Sequence, residues 1–155
     1  MKKSNFIIPM LFFFAISCKA QNNSISKNQA TINDHIVFKA SSNFLIENFG
    51  QPESIESYFF ETEDSSGEIY HYLGASFYLL DDKIDSFEID SNLYNFTSNS
   101  ISVGDSIDSI QNIYPFSYSN RENGEIIITF TDADYFISIH YDANDFIHKI
   151  NLNVY

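Results

Sequence analysis

The chain has 155 residues and a formal net charge of −13, from 21 acidic and 8 basic residues. A field of this sign repels nucleic acid, so nucleic-acid binding is excluded as a function. The single cysteine excludes an internal disulfide bond. Aromatic residues make up 17% of the chain, all of them Phe and Tyr, and this composition favours β-strands.

The N-terminal segment has the pattern of a secretion signal. Lys2 and Lys3 precede an apolar run at residues 6–16. This run is shorter than the roughly 20 residues that a membrane-spanning helix needs, and it fits the apolar region of a signal peptide. We therefore predict that residues 1–17 are removed. An ordinary secretory signal followed by an incidental cysteine is the alternative.

The end of this segment resembles the lipobox of bacterial lipoproteins. It reads Ala15-Ile16-Ser17-Cys18. The resemblance implies that cleavage occurs before Cys18, that this cysteine carries lipid, and that the lipid is the protein's contact with a membrane. Lys19 is not the aspartate that retains lipoproteins in the inner membrane of enteric bacteria. The resemblance therefore implies a cell-envelope protein anchored in the outer membrane, on its periplasmic or its surface face.

The segment after the cysteine is mostly polar and has no periodicity, which predicts a flexible tether over residues 18–31. Residues 32–155 then form one globular domain. Within it we predict two tandem repeats, at about 36–91 and 101–154, because the same order of elements occurs twice.

Each predicted repeat begins with a short helix. In the first, Ser41 or Ser42 caps a helix over residues 43–49, and Gly50 ends it. In the second, isoleucines at 107, 110 and 113 follow one helical face until Pro115 stops it.

Four strands follow each helix. Acidic and glycine-containing turns separate most of them, and turns this short require antiparallel pairing. The predicted strands are residues 55–61, 68–73, 76–80 and 84–90 in the first repeat, and 116–120, 125–130, 134–141 and 146–154 in the second. The predicted fold class is α+β, with both helices on one face of the sheet and the other face open.

This pattern resembles the tandem-repeat fold of the β-lactamase inhibitor protein and the small outer-membrane lipoprotein of the β-barrel assembly machinery. The resemblance rests on Phe49-Gly50-Gln51-Pro52 and on the hairpin at residues 79–89, and it is weaker in the second repeat. Both relatives are binding proteins without catalytic residues, and one of them uses its open sheet face, so the resemblance implies a binding protein.

Aromatic residues at alternate positions of the first-repeat strands are the candidate binding site. If they point outward, they form a platform of the kind that anchors protein interfaces; if not, they are core. The candidate partner-binding residues are Tyr58, Phe60, Tyr70, Tyr72 and Tyr78.

The sequence contains no recognised catalytic or phosphate-binding motif. His140 and His148 flank the last turn near Asp142 and Asp145, but strand parity places the two histidines on opposite faces, and we predict no metal or other cofactor. The preferred hypothesis is a lipid-anchored, non-catalytic module that binds an envelope protein. The alternative is an envelope enzyme or carbohydrate-binding protein that uses clustered acidic residues.

Overall fold

The computed structural model describes residues 24–60, 64–97 and 100–155. Within these ranges the chain forms twelve strands and three α-helices. The helices are α1 (Ser42–Phe49), α2 (Asp108–Gln111) and α3 (Pro115–Ser119). The strands are β1 (Ser24–Ile25), β2 (Thr31–Ile32), β3 (His35–Ile36), β4 (Ser54–Phe60), β5 (Ser65–Tyr72), β6 (Ala75–Leu80), β7 (Lys83–Ile89), β8 (Asn95–Phe96), β9 (Ile101–Ser102), β10 (Glu125–Phe130), β11 (Tyr135–Tyr141) and β12 (Ile147–Val154).

Most strands belong to one eight-stranded sheet, in the order β1-β10-β11-β12-β7-β6-β5-β4. All its neighbours are antiparallel except β1 and β10, which are parallel, so the sheet is mixed. The two halves of the chain join where β12 pairs with β7, with Leu152 opposite Phe87. A second, four-stranded sheet has the order β3-β2-β8-β9.

Two-residue turns connect β5 to β6 and β6 to β7. Gly74 has a φ of 77° in the first turn, and Asp81 and Asp82 have φ values of 50° and 58° in the second. Positive φ at both central residues, as in the second turn, matches the twist of a tight hairpin, and Asp tolerates it better than most residues. These turns hold the neighbouring strands in a fixed register.

Helix α1 agrees with the prediction. The Ser41 side chain accepts a hydrogen bond from the backbone N–H of Phe44 at 3.3 Å, and Gly50, with a φ of 85°, ends the helix. Leu45 is fully buried, and the Phe49 ring lies 5.7 Å from the ring of Phe77. A helix of about two turns is unstable alone, so this packing on the sheet stabilises it.

The core lies between one face of the large sheet and a layer made of α1, α2 and the small sheet. Phe87 of the large sheet and Phe96 of the small one are both buried, with ring centroids 6.0 Å apart. Leu45 of α1 and Ile110 of α2 belong to the same hydrophobic cluster. We call the opposite face of the large sheet the outer face.

The predicted fold class is wrong. The chain is not two repeats of a helix and a four-stranded meander, because the second half supplies only β10, β11 and β12 to the meander. Residues 116–120, predicted as a strand, lie almost entirely in α3, where Pro115 is at the first turn rather than at the end of a preceding helix. The small sheet and the parallel strand β1 were not predicted.

Part of the segment assigned to the tether is folded in the structure. Ile25 in β1 is fully buried and lies opposite Phe130 of β10, and Ala30 is also fully buried. The capping box between Ser26 and Gln29 orders the short 3-10 turn between them. These few apolar residues are enough to hold residues 24–31 against the domain.

Candidate binding face

Alternation along the strands of the large sheet places one set of side chains on the outer face. In β6 the residues alternate between buried and half-buried, and Tyr78 is among the half-buried, outer set. Pairing carries this set across the sheet, because Tyr78 lies opposite Ile69 and Ser86. The outer face includes Glu56, Tyr58, Phe60, Gly67, Ile69, His71, Ser76, Tyr78, Ser86, Glu88, Lys149, Asn151, Asn153, Ser138, His140 and Glu125.

Three of the five predicted site residues form a cluster on this face, which we call the aromatic corner: Tyr58, Phe60 and Tyr78. The Tyr58 ring meets the Phe60 ring edge-on at 4.9 Å and the Tyr78 ring edge-on at 5.5 Å. Tyr58 is 42% exposed, whereas Phe60 is 7% exposed. Edge-to-face geometry of this kind stabilises aromatic pairs and leaves Tyr58 open to a partner.

The other two predicted site residues, Tyr70 and Tyr72, lie on the core side of the sheet. Each is 7% exposed and belongs to the main hydrophobic cluster. The reason is the register of the hairpin: Tyr58 lies opposite Gly67, so even-numbered residues of β4 share a face with odd-numbered residues of β5. The predicted single platform of five aromatic residues is therefore divided between two faces.

Tyr72 connects the sheet to the end of α1. Its hydroxyl donates a hydrogen bond to the Gly50 carbonyl oxygen at 3.1 Å, and its ring meets the Phe77 ring edge-on at 5.7 Å. Burial raises the pKa of Tyr72 to about 12, with smaller contributions from the charges of Tyr94 and Tyr70. These contacts are structural.

A groove of about 340 Å³ runs along the outer face beside the aromatic corner. One wall contains Tyr58 and Tyr78, and the other contains Asn151 and Asn153. Asn153 Nδ2 donates a hydrogen bond to Ser138 Oγ at 3.1 Å, whereas Asn151 Oδ1 is buried without a hydrogen-bond partner among the described residues. The groove is thus lined by aromatic rings on one side and by asparagine side chains on the other.

Acidic and basic side chains lie beside each other on the outer face. His71 Nε2 lies 3.3 Å from Glu56 Oε1, and Lys149 Nζ lies 3.1 Å from Glu88 Oε2. Burial and then the charge of Glu88 raise the pKa of Tyr78, so its hydroxyl keeps its proton at neutral pH. Pairs with this much exposure contribute little to stability, and they leave the face polar.

The histidines of the last hairpin lie closer together than predicted. A bulge at His140 and Tyr141 changes the strand parity, and the rings of His140 and His148 stack at 6.2 Å with an interplanar angle of 11°. His140 Nε2 also lies 3.8 Å from Glu125 Oε1. The described residues contain no group of three or more His, Cys, Asp or Glu side chains that could hold a metal ion.

Asp142 has a structural role in the turn of this hairpin. Its Oδ1 accepts hydrogen bonds from the backbone N–H groups of Asn144 at 2.9 Å and Phe146 at 3.0 Å. These bonds, that of Phe146 first, hold the pKa of Asp142 below its usual value. The carboxylate is thus already used by the backbone of its own turn.

One polar cluster was missed by the sequence analysis. Asp85 is 7% exposed and accepts hydrogen bonds from Lys39 Nζ and, at 2.8 Å, from the Tyr135 hydroxyl. Burial alone would lower the pKa of Lys39, but the hydrogen bonds to Asp85 and Tyr135 raise it overall. Asp85 is the extra residue where the pairing of β6 and β7 shifts register, so strand alternation could not identify it.

A second depression, of about 630 Å³, lies at the far edge of the large sheet between α3 and β10. Phe116 of α3, 62% exposed, and Ile127 of β10, 44% exposed, form its apolar part. No residue of this depression was predicted to be functional.

Cys18, the predicted lipidation site, lies outside the described residues. In the part of the chain that is described, no helix has the length and apolar character needed to cross a membrane.

Comparison with known proteins identifies no family for this chain. No protein-family model matches the chain, and no curated protein matches it. A solved structure of an extracellular protein containing an SCP domain, from Bacillus anthracis str. Ames, aligns with 98% of this chain and 49% of its own length, at 9% identity and a TM-score of 0.43. The chain spans about half the length of that protein, and a likeness at this TM-score carries no argument about fold or function.

Proposed function

We propose that this protein is a lipid-anchored component of the cell envelope that binds another envelope protein, without catalysis, through the outer face of its large sheet. The observation that carries the proposal is the aromatic corner. Tyr58 and Tyr78 are partly exposed on a face whose other residues are mostly polar, and the groove lies beside them.

Aromatic side chains of this kind suit protein recognition. Tyrosine has few rotatable bonds, so it offers a large contact area at a small cost in conformational entropy, and its hydroxyl can still form a hydrogen bond. The neighbouring Asn151 and Asn153 add polar side chains to the groove beside the two tyrosines.

The positions of the acids support a binding role over the enzyme alternative, because Glu56, Glu88 and Glu125 lie on β4, β7 and β10, which are not neighbours in the sheet. Glu56, Glu88 and Glu125 each lie within 4 Å of a basic side chain. Acids on strands separated in this way do not form the closely spaced carboxylate pair that such an enzyme requires. Nothing specific in the described residues favours the carbohydrate alternative.

The anchoring part of the proposal rests on the sequence before the domain. The apolar segment and the Ala15-Ile16-Ser17-Cys18 motif support lipidation. Attachment through Cys18 would leave only a few residues between the lipid and Ser24, the first described residue.

Site-specific photo-crosslinking tests the proposed function. The full chain, expressed in its natural host cell, carries benzoylphenylalanine in place of Tyr58 or, as the control, in place of Leu93, a loop residue that is 55% exposed. We expect a discrete crosslinked protein from position 58 and none from position 93. Tyr78→Ser should greatly reduce the yield at position 58.

Equal yields from positions 58 and 93, or a yield at position 58 that Tyr78→Ser leaves unchanged, would contradict binding through this face. Circular dichroism of each purified variant checks that the fold is retained. The two tyrosines lie outside the main hydrophobic cluster, so folding should survive.

A further inference from the structure

Resting on the function proposed above, we propose that the binding partner contributes an extended basic segment, which pairs with β4 as an additional strand of the large sheet. Strand β4 is the last in the order of the large sheet, and none of the described residues pairs with its outer edge. Six of its seven residues, 54–59, are exposed.

The turn after β5 shows which backbone groups of β4 face the open edge. Tyr72 and Ala75 close a two-residue turn, so they form a hydrogen-bonded pair. The alternation then directs the backbone of His71 and Ile69 toward β4, where their partners are Ser54 and Glu56. It follows that Ile55, Ser57 and Phe59 point their N–H and C=O groups away from the sheet.

This edge lacks the usual protection against strand addition. Soluble proteins commonly guard an exposed edge with Pro, Lys, a bulge or a covering element. Residues 54–60 contain no Pro and no Lys. The opposite end of the sheet differs, since β1 pairs with Thr129 and Phe130, and α3 packs beside β10.

Side chains on both sides of the edge could receive those of an added strand. Ile55 and Phe59, on the core side, are 49% and 51% exposed. Tyr58, on the outer side, belongs to the aromatic corner, so an added strand would lie directly beside the proposed binding face. Such side chains supply specificity, while the backbone hydrogen bonds supply affinity.

The charge of the edge favours a basic strand. Glu53 directly precedes β4, Glu56 lies in β4, and Glu68 lies in the neighbouring strand β5. Neither strand contains Lys or Arg. The Glu56 side chain is 61% exposed and has His71 as its only ion-pair partner among the described residues. A Lys or Arg opposite Glu56 would therefore form a favourable cross-strand pair.

A second copy of the chain fits this edge less well. Antiparallel self-pairing about Ser57 would place Glu56 and its symmetry mate at diagonal positions of one face, and like charges there oppose pairing. It would also join two chains that each carry a net charge of −13. We therefore assign the edge to a different chain.

Binding of a synthetic peptide tests the proposal directly. The probe is a capped seven-residue peptide with alternating Val and Lys, titrated into the purified full chain in detergent and followed by fluorescence polarisation. The matched peptide replaces each Lys with Glu. We expect saturable binding of the Val–Lys peptide, and at least tenfold weaker binding of the Val–Glu peptide.

A variant pair isolates the backbone of the edge. Ser57→Pro removes an N–H that points away from the sheet, and Ser57→Ala keeps it. We expect Ser57→Pro to weaken binding of the Val–Lys peptide about tenfold or more and Ser57→Ala to bind like the unmodified chain. Both variants should have the same melting temperature as the unmodified chain, because neither substitution removes a hydrogen bond to β5.

Equal binding by the two Ser57 variants, or equal binding of the two peptides, would overturn the proposal. So would a dimer of the unmodified chain in analytical ultracentrifugation that Ser57→Pro dissociates, since the occupant would then be a second copy. Crosslinking from position 58 that persists in Ser57→Pro would refute strand addition while leaving the proposed function intact. If the peptide binds as expected but position 58 yields no crosslink, the proposed function fails instead.

Discussion

The ring of Phe60 lies directly over the backbone of Gly67. A Cβ atom on Gly67 would lie 2.6 Å from Phe60 Cε2 and 2.1 Å from the Leu79 carbonyl oxygen. Phe60 is 7% exposed although it lies on the outer face, and its ring meets the ring of Tyr58 edge-on. The aromatic corner depends on a residue that has no side chain.

Gly67→Ala should destabilise the domain, because the new methyl group overlaps both a ring and a backbone carbonyl. Overpacking of this kind costs about 1–3 kcal/mol. Denaturation by urea measures the free energy of unfolding, with Ser66→Ala, a change at an exposed neighbour, as the control. A Gly67→Ala variant as stable as the control would contradict this, because it would show that the sheet accommodates the methyl group without a loss of stability.

The division of the tyrosines between two faces predicts different costs for two double variants. Tyr70→Ser with Tyr72→Ser removes two core rings, and each such truncation costs about 3–5 kcal/mol. That loss approaches the whole stability of a small domain, so this variant should be largely unfolded. Tyr58→Ser with Tyr78→Ser loses only edge-to-face contacts, about 2 kcal/mol in total.

Thermal unfolding followed by circular dichroism compares the two double variants. The unmodified chain and Leu93→Ser, a change in an exposed loop, are the controls. If the Tyr70 and Tyr72 variant folds as well as the Tyr58 and Tyr78 variant, the assignment of faces is wrong.

Ionisation of Tyr72 should lower the free energy of unfolding of the domain at alkaline pH. Its pKa is raised to about 12 in the folded chain, mainly by burial, against about 10 in the unfolded chain. Between these values the folded chain keeps the proton that the unfolded chain releases, so the free energy of unfolding falls as pH rises from 10 to 12. Below pH 10 the stabilisation that comes from keeping Tyr72 protonated is fully present.

Tyr72→Phe tests this pH dependence. It should lose about 1 kcal/mol at neutral pH, because the Gly50 carbonyl loses its donor. Above pH 10 its stability should fall less steeply than that of the unmodified chain, as measured by urea unfolding at several pH values. Tyr58→Phe, a change at an exposed tyrosine of the outer face, serves as the control.

The local elements were predictable where the sequence contains their signals. Ser41 and Gly50 mark both ends of α1, and the turns at Gly74 and Asp81-Asp82 separate strands whose bounds fall within a few residues of those predicted. Signals of this kind act over a few residues, so one sequence is enough to detect them.

The predictions failed where the outcome depends on distant residues. Pro115 can follow the end of a helix or begin one, and only packing decides that it begins α3. The small sheet is built from two-residue strands that are too short to show alternation. The face of Tyr70 depends on the register of β4 with β5, and strand composition alone does not determine register.

The buried carboxylate of Asp85 provides a prediction about stability. Asp85→Ala leaves Lys39 and Tyr135 without their shared acceptor, whereas Lys39→Ala leaves Asp85 bonded to Tyr135. Because the Lys39 side chain is 40% exposed, water compensates for part of the loss. We expect Asp85→Ala to cost about 2 kcal/mol and Lys39→Ala about 1 kcal/mol.

A double-mutant cycle in urea measures the coupling between Asp85 and Lys39. The double variant should be less destabilised than the sum of the two single variants, because removing either partner already breaks the pair. Strictly additive costs would mean that the pair contributes nothing of its own.

Lipidation of Cys18 is the prediction on which the proposed location depends. The mature protein extracted from membranes should begin at Cys18 and carry a mass increase equal to its acyl groups, because two or more chains are needed for stable anchoring. Mass spectrometry of the N-terminal peptide measures this, and Cys18→Ser should release the protein into the soluble fraction. Lys19→Ala, a change at the neighbouring residue, should leave the attachment of lipid unchanged and serves as the control. An unmodified thiol on the processed chain would remove the anchor from the proposed function and leave the binding face to be tested on a secreted protein.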